Sequence, residues 1–174
     1  MPAFRTIYYL PTVVPIVASA MLFLWVLNPE YGLLNNFLSW FGIRGPSWLS
    51  DPKFTKISLM IMDVWRCGQN TVIFLSALKA VPKSFYEAAE LDGAGAWTKF
   101  RRITLPLMTP AIFYVLIVSL INAFQLFPQI MIMTDGGPNG ATQVMVERIY
   151  KYGFRYYRMG YAAAFSWILF AIIM

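Results

Sequence analysis

Histidine, cysteine and charge are all scarce in this chain. Its 174 residues include no histidine and a single cysteine, Cys67, which lies inside an apolar segment. A zinc or haem site is therefore not expected, and no disulfide can form within the chain. Charged residues make up 13% of the sequence and hydrophobic residues 59%, which leaves too little polar surface for a soluble domain of this length.

Three long stretches contain no charged residue at all. They cover residues 6–29, 103–134 and 159–174. Runs of about 18 or more apolar residues are typical of membrane-spanning helices. We therefore expect an all-α, polytopic membrane helical bundle, located in the cell membrane as a multi-pass protein.

The pattern predicts about four spans in one membrane domain over residues 1–174. The predicted spans are residues 7–27, 57–79, 107–133 and 159–174, with a polar segment over residues 82–106. The last span is still apolar at Met174, as expected for a truncated chain. A signal peptide is the alternative for the first span, but the apolar run continues through Val26 and favours a retained helix.

The basic residues do not suggest nucleic-acid binding, although the net charge is +6. They lie beside the apolar segments and form no continuous stripe. Four spans would place six bases on one side of the membrane and seven on the other, with Arg66 inside a span. The positive-inside rule therefore does not fix the orientation.

The polar segment contains the sequence EAAELDGAGAWTKFRRITLP over residues 87–106. Ser84 lies three residues before Glu87, a spacing typical of a capping box at a helix start. Gly93 is expected to end this first helix because glycine accepts a positive φ. A second short helix should carry Trp97 and Phe100 on one face. Helices this short are not stable alone, so the segment must pack on a partner.

The spacing within this segment carries a family resemblance. Glu87-Ala88-Ala89, then Gly93 after three residues, then Ile103 and Leu105-Pro106 resemble, without a gap, the EAA signature of ABC importer permeases. These are the membrane subunits of binding-protein-dependent uptake systems. The stretches DVWRCGQNTVIFLSALKAVPKSFYEAAELDGA and MTDGGPNGATQVMVERIYKYGF resemble the carbohydrate-uptake branch, which includes the maltose and glycerol-3-phosphate types. Full members have a core of about six spans, whereas this sequence predicts four.

The resemblance implies a role for the segment over residues 82–106. It would be a cytoplasmic EAA loop, a short helix-turn-helix that docks on an ATPase subunit and couples ATP hydrolysis to alternating access. The implied docking residues are Glu87, Ala88, Ala89, Asp92, Gly93, Ile103, Leu105 and Pro106. The implied partners are a second permease subunit, two ABC ATPase subunits, an external solute-binding protein and membrane lipid.

No cofactor is expected on this chain itself. Its glycine-rich stretches, DGAGA and DGGPNG, are not followed by the Gly-Lys-Ser/Thr of a phosphate-binding loop. ATP would therefore be bound by the partner subunits.

Polar residues inside the second predicted span are candidates for a substrate path. Asp63 and Arg66 are three residues apart and are expected on one helix face, which Trp65 and Gln69 share in part. Aromatic and amide groups suit a sugar. The alternative is a self-neutralising pair that faces protein or interfacial water.

The third predicted span carries a polar stripe. Ser119, Asn122, Gln125 and Gln129 project within about a third of the helix circumference, taking about 100° per residue. We expect Ser119, Asn122 and Gln125 to contribute to the substrate path. Helix–helix hydrogen bonding is the alternative.

The basic aromatic stretch over residues 148–158 precedes the last predicted span. It is expected to be an interfacial segment, and binding of an anionic lipid or a phosphorylated substrate is the alternative.

Three functions were compared: a transport subunit for sugars or related solutes, a membrane enzyme, and a passive channel or scaffold. An enzyme should show converging acid, base or metal ligands, and the sequence offers no such group and hence no catalytic residue. A passive channel has no need of an ATPase-docking signature. The sequence therefore favours the transport subunit.

Overall fold

A computed structural model describes residues 2–174, and side chains are described from Phe4 onward; Met1, the first residue of the predicted domain, lies outside this range. All regular structure in the described part is helical. The α-helices are α1 Pro2–Val13, α2 Ile16–Val26, α3 Leu33–Trp40, α4 Pro52–Trp65, α5 Gly68–Ala80, α6 Lys83–Leu91, α7 Ala96–Lys99, α8 Leu105–Phe124, α9 Pro128–Met133, α10 Met145–Tyr150 and α11 Met159–Ile173. Two π-helical turns, Phe100–Thr104 and Lys151–Arg155, precede α8 and follow α10.

Three of the four predicted spans are interrupted in the structure. Residues 7–27 are divided at Pro15, residues 57–79 at Arg66–Cys67, and residues 107–133 before Pro128. Proline explains two of these breaks, because it lacks an N–H and disfavours the helical conformation in the residue before it. Pro128 instead opens α9 at a position that needs no donor.

The second predicted span begins earlier than its apolar pattern indicates. The Asp51 carboxylate accepts a hydrogen bond of 2.9 Å from the Lys53 amide and caps α4, which starts at Pro52. By contrast, α11 occupies nearly all of the predicted segment 159–174. The first turns of α4 contain Lys53 and Lys56, so they do not belong to the apolar run from which the span was predicted.

One helical run is long and apolar enough to cross a membrane by itself. It is the 29-residue run Ala96–Phe124, which joins α7, the first π-helical turn and α8. A second candidate span exists only when α1 and α2 are joined across their break. The helix α11 is apolar but too short to meet the same length criterion. The described residues thus contain one or two clear candidates, and the count of four stays a prediction.

The chain divides into two units. The first holds the described residues through Thr12 together with Cys67–Leu120, and the second holds Val13–Arg66 and Ile121–Met174. The second unit has a small apolar core, in which α2, its C-terminal cap Leu27, α4 and α9 contribute the buried side chains Ala20, Phe23, Leu27, Met62 and Met133. Trp48 and Ile132 pack against this core.

Large apolar side chains are widely exposed outside that core. Phe113, Tyr114 and Leu116 on α8 are each more than half exposed. Soluble monomers rarely expose contiguous apolar surface on this scale. Such a surface suits contact with lipid or with other membrane helices.

Candidate functional site

The turn after α6 is closed by a glycine in the left-handed conformation. Gly93 has φ +74°, its amide donates to the Glu90 carbonyl over 3.0 Å, and the Ala94 amide donates to the Ala89 carbonyl over 2.8 Å. This pair of bonds is the Schellman arrangement, which satisfies carbonyls left free at the helix end. The predicted role of Gly93 in ending the first helix is confirmed.

The predicted capping box at the start of α6 is wrong. The helix begins at Lys83 with Pro82 as its N-terminal cap, and no side chain caps it. Ser84 therefore lies within the first turn, beyond the position from which its hydroxyl would accept from an orphan amide. Pro82 has extended backbone, with ψ 136°, and it sets the helix start two residues earlier than the capping pattern suggests.

Two side-chain contacts join α6 to the residues that follow the turn. The Lys99 ammonium donates to the Glu90 carboxylate over 2.7 Å, and the hydroxyls of Tyr86 and Thr104 lie 2.8 Å apart. The hydrogen bond and the charge of Lys99 hold the pKa of Glu90 below its ordinary value. Neither contact was predicted. They link α6 to the residues after the turn.

This helix-turn-helix presents apolar side chains to the outside. Leu91 is 92% exposed and Trp97 72%, with the Trp97 ring 5.7 Å from that of Phe100. Of the predicted docking residues, Ala89 and Ile103 are half-buried, and the exposed ones are Glu87, Ala88, Asp92, Gly93, Leu105 and Pro106. Exposed apolar groups beside charged ones are typical of protein–protein contact surfaces. Leu91, the last residue of α6, was not among the predicted docking residues, because it is not one of the positions of the EAA signature.

The candidate residues near the end of α4 hold the second unit together. Arg66 is the C-terminal cap of α4, and its amide donates to the Asp63 carbonyl over 3.1 Å, so the pairing of Asp63 with Arg66 stays a prediction. Its guanidinium donates to the Val14 carbonyl over 2.7 Å and to the Ser19 hydroxyl over 2.8 Å. The Trp65 ring lies 5.5 Å from that of Phe23.

Gln69, which was predicted beside these residues, is exposed on α5 and belongs to the first unit. The sequence spacing of Trp65 and Gln69 assumed one continuous helix, and the break at Arg66–Cys67 removes that assumption.

The predicted polar stripe is shorter than four residues. Ser119 and Asn122 lie one turn apart on α8 and are both exposed. Gln125 is also exposed but follows the end of α8, and Gln129 is buried within the separate helix α9. The helical register behind the predicted stripe is interrupted because Pro128 starts a new helix.

The loop over residues 134–142 is held by one face of α10 and the π-helical turn after it. The Lys151 ammonium lies 2.8 Å from the Asp135 carbonyl oxygen, 3.3 Å from its carboxylate and 2.5 Å from the Glu147 carboxylate. The Arg155 guanidinium adds a bond of 3.0 Å to the Asp135 carboxylate. Inside the loop, the Thr142 hydroxyl donates to the Gly137 carbonyl over 2.8 Å. We call the set Asp135, Glu147, Lys151 and Arg155 the loop clasp.

The four side chains of the loop clasp differ in how far they are buried. Glu147 is fully buried, and its Oε2 atom accepts no hydrogen bond from any described residue. Burial disfavours the charged form of Lys151, but the Glu147 and Asp135 carboxylates outweigh it and raise the pKa of Lys151. The hydrogen bond from Arg155 holds the pKa of Asp135 below its ordinary value, against the smaller opposing effect of burial. Asp135, Lys151 and Arg155 are therefore charged at neutral pH.

No group of three or more potential metal ligands occurs among residues 4–174. The site contacts are made by hydrogen bonds, ion pairs and aromatic rings. All residues of the segment 82–106 belong to the first unit, and all residues of the loop clasp belong to the second.

Comparison with known proteins gives consistent matches along the chain. The trehalose/maltose transport system permease protein MalF of Thermococcus litoralis is 36% identical over 174 residues, which cover 98% of this chain and 58% of MalF. The lactose transport system permease protein LacF of Rhizobium radiobacter is 36% identical over 172 residues, covering 95% of this chain and 57% of LacF. The chain thus spans a little under three fifths of these relatives.

A solved structure has the same fold. The crystal structure of a bacterial ABC transporter that imports the acidic polysaccharide alginate matches with a TM-score of 0.88 and 29% identity, covering 99% of this chain and 62% of that one. A structure of a bacterial alginate transporter in complex with its alginate pentasaccharide-bound periplasmic protein matches with a TM-score of 0.89. Residues 2–174 also match the family described as binding-protein-dependent transport system inner membrane component. The chain therefore belongs to this family of inner-membrane transport components.

Proposed function

We propose that the chain is the membrane-spanning permease subunit of an ATP-driven ABC importer for sugars or related solutes. It couples ATP hydrolysis in partner subunits to alternating-access uptake. Its partners are a second permease subunit, two ABC ATPase subunits and an external solute-binding protein. Relatives named for trehalose/maltose and lactose transport, and the alginate transporters, support a carbohydrate substrate.

The observation that carries this proposal is the helix-turn-helix over residues 82–106. It is closed at Gly93, braced by Lys99 and Glu90, and exposes Leu91 and Trp97. A rigid segment with exposed apolar groups is suited to transmit the movement of a partner. In the proposal it lies on the cytoplasmic side and docks on an ATPase subunit through Glu87, Ala88, Ala89, Asp92, Gly93, Ile103, Leu105 and Pro106.

The arrangement we propose has four spans at residues 7–27, 57–79, 107–133 and 159–174. Breaks at Pro15, Arg66–Cys67 and Pro128 are compatible with spans, because neighbouring helices and side chains satisfy the freed backbone groups. The guanidinium of Arg66 supplies one such bond, to the Val14 carbonyl at the first of these breaks.

For the substrate path we propose Trp65, Arg66, Gln69, Ser119, Asn122 and Gln125. Asn122 is the strongest member of this set. Its amide is exposed on α8, a largely apolar helix, and an amide both donates to and accepts from sugar hydroxyls. A polar residue exposed on a spanning helix is expected to face a water path or a partner.

Glu87→Ala is expected to lower both uptake and co-purification of the ATPase by about fivefold, the loss typical of one residue central to an interface. The measurement uses the assembled transporter, with pull-down of the ATPase and uptake into proteoliposomes. Ser84→Ala is the matched control, because Ser84 is exposed on the same helix and caps nothing. If the two variants behave alike, the docking role of Glu87 is wrong.

A passive channel or scaffold is the competing function. Uptake into the same proteoliposomes separates the two, because a passive channel transports without ATP. If the solute accumulates in the proteoliposomes only when ATP is supplied, the importer is supported. If the flux of solute is equal with and without ATP, the importer is contradicted.

Asn122→Ala is expected to raise the KM for uptake about fivefold, as follows from loss of about one hydrogen bond, while the subunits still co-purify. Ser166→Ala is the control, since the Ser166 hydroxyl donates to the Ala162 carbonyl of its own helix. Unchanged transport kinetics in Asn122→Ala would remove this residue from the substrate path.

A further inference from the structure

A cavity of about 450 Å³ opens where the second π-helical turn meets α11. Tyr152, Tyr156 and Arg158 line it. The Tyr152 ring lies 5.7 Å from the rings of Tyr156, Tyr161 and Phe165, so one wall is an aromatic cluster. The Arg158 guanidinium lies 6.0 Å above the centre of the Tyr161 ring. The cavity thus combines a cation with flat apolar walls.

Arg158 differs from the other bases of the stretch 148–158. Lys151 and Arg155 pair with carboxylates of the loop clasp, and Arg148 donates to the Gln143 side chain over 2.8 Å. Within residues 4–174, no carboxylate lies within ion-pair distance of Arg158, and its contact is with an aromatic ring. A positive charge without a counter-ion, beside a cavity, is suited to an anionic ligand.

The backbone holds Arg158 at this place. The Arg158 amide donates to the Tyr152 carbonyl over 2.8 Å, and the Tyr156 amide donates to the Lys151 carbonyl over 2.9 Å. Tyr157, between Tyr156 and Arg158, has φ +55°, a backbone conformation that residues with a side chain rarely adopt. This turn sets Arg158 directly before the first residue of α11.

The surroundings of the cavity resemble those of residues at a membrane–water interface. The helix α11 that follows is charge-free and apolar, and Phe154, Tyr156, Tyr157 and Tyr161 beside the cavity are all more than half exposed. Exposed aromatic residues next to an apolar helix are characteristic of the membrane–water interface. The chain belongs to a family of inner-membrane components, so its surface is in contact with phospholipid.

We propose that this cavity binds the phosphate-bearing headgroup of an anionic phospholipid. Arg158 binds the phosphate, and the rings of Tyr152 and Tyr156 form the walls against which the glycerol and upper acyl carbons pack. The proposal depends on membrane location alone and stands whether or not the transport role is correct. A soluble phosphate ester offers the same chemistry, and the experiment distinguishes the two sources.

The test measures phosphatidylglycerol retained by the detergent-purified transporter, against phosphatidylcholine, by native mass spectrometry. Arg158→Gln is expected to lower phosphatidylglycerol affinity about fivefold, the usual effect of one basic residue near the headgroups. Arg148→Gln is the matched control, since it removes a base of the same stretch that already has a partner. Equal retention by both variants overturns the proposal.

Two further variants and one titration complete the test. Arg158→Lys keeps the charge and should retain phosphatidylglycerol, and Tyr156→Leu, at an exposed wall position, should weaken it without changing charge. These variants apply if Arg158→Gln fails to assemble. Titration with glycerol 3-phosphate tests the soluble source: binding that depends on Arg158, with phosphatidylglycerol retention unchanged, overturns the lipid assignment.

Discussion

Gly93→Val is expected to reduce uptake at least tenfold, whereas Gly95→Ala should leave it nearly unchanged. A left-handed conformation costs a residue with a side chain about 1–2 kcal/mol, and a β-branched residue more. Gly93 has φ +74°, but Gly95 has φ −68°. An added Cβ meets nothing within 4 Å at either position, so a clash of the Cβ does not contribute to the difference.

The Gly93 effect should follow the tolerance of each residue for positive φ. Gly93→Asn is expected to keep more activity than Gly93→Val, because asparagine enters the left-handed region most readily among residues with side chains. Uptake and ATPase co-purification are measured on the assembled transporter for all three variants. Equal activity of Gly93→Val and Gly95→Ala would show that the Schellman turn is not needed for coupling.

Lys151→Met is expected to accelerate amide exchange in the loop over residues 134–142 about 100-fold. The change leaves the fully buried Glu147 carboxylate without its positive partner, which costs about 3 kcal/mol when a buried pair is broken. Hydrogen exchange of the intact transporter reports this on peptides that contain the Gly137 amide, which donates to the Thr134 carbonyl.

Two variants test whether burial is the reason. Arg155→Gln removes an ion pair whose two members are both exposed and should change exchange little, since exposed ion pairs contribute little. The double change Glu147→Met with Lys151→Met should recover most of the protection, because no buried charge remains. If Lys151→Met and Arg155→Gln have equal effects, or if the double variant is worse than Lys151→Met, the buried pair does not hold the loop.

Local physics made some parts of the structure predictable from the sequence. The charge-free runs predicted an all-helical chain, and the Asp92–Gly93 pair predicted the end of α6, because a glycine after a helical stretch is favoured by its own backbone. Each of these features depends on a few neighbouring residues.

Other parts depend on contacts that a local pattern does not contain. Arg66 lies at a helix break where its guanidinium bonds to Val14, which is 52 residues away in the chain. The spacing of Glu147 and Lys151 is visible as a helical pair, but their link to Asp135 exists only after the intervening loop has folded. The capping box failed by two residues of register, because Pro82 sets the start of α6.

The unbroken helical run Ala96–Phe124 has a mechanical consequence. At about 1.5 Å per residue its 29 residues form a rod roughly 40 Å long. Tilting such a rod by about 5° about one end displaces the other by about 4 Å, by its length alone. Trp97 and Asn122 stand near its opposite ends with no glycine between them, and bending is concentrated where Pro106 and Pro110 lie. A force that tilts the helix at Trp97 would therefore displace Asn122, because no glycine or proline interrupts the helix after Pro110.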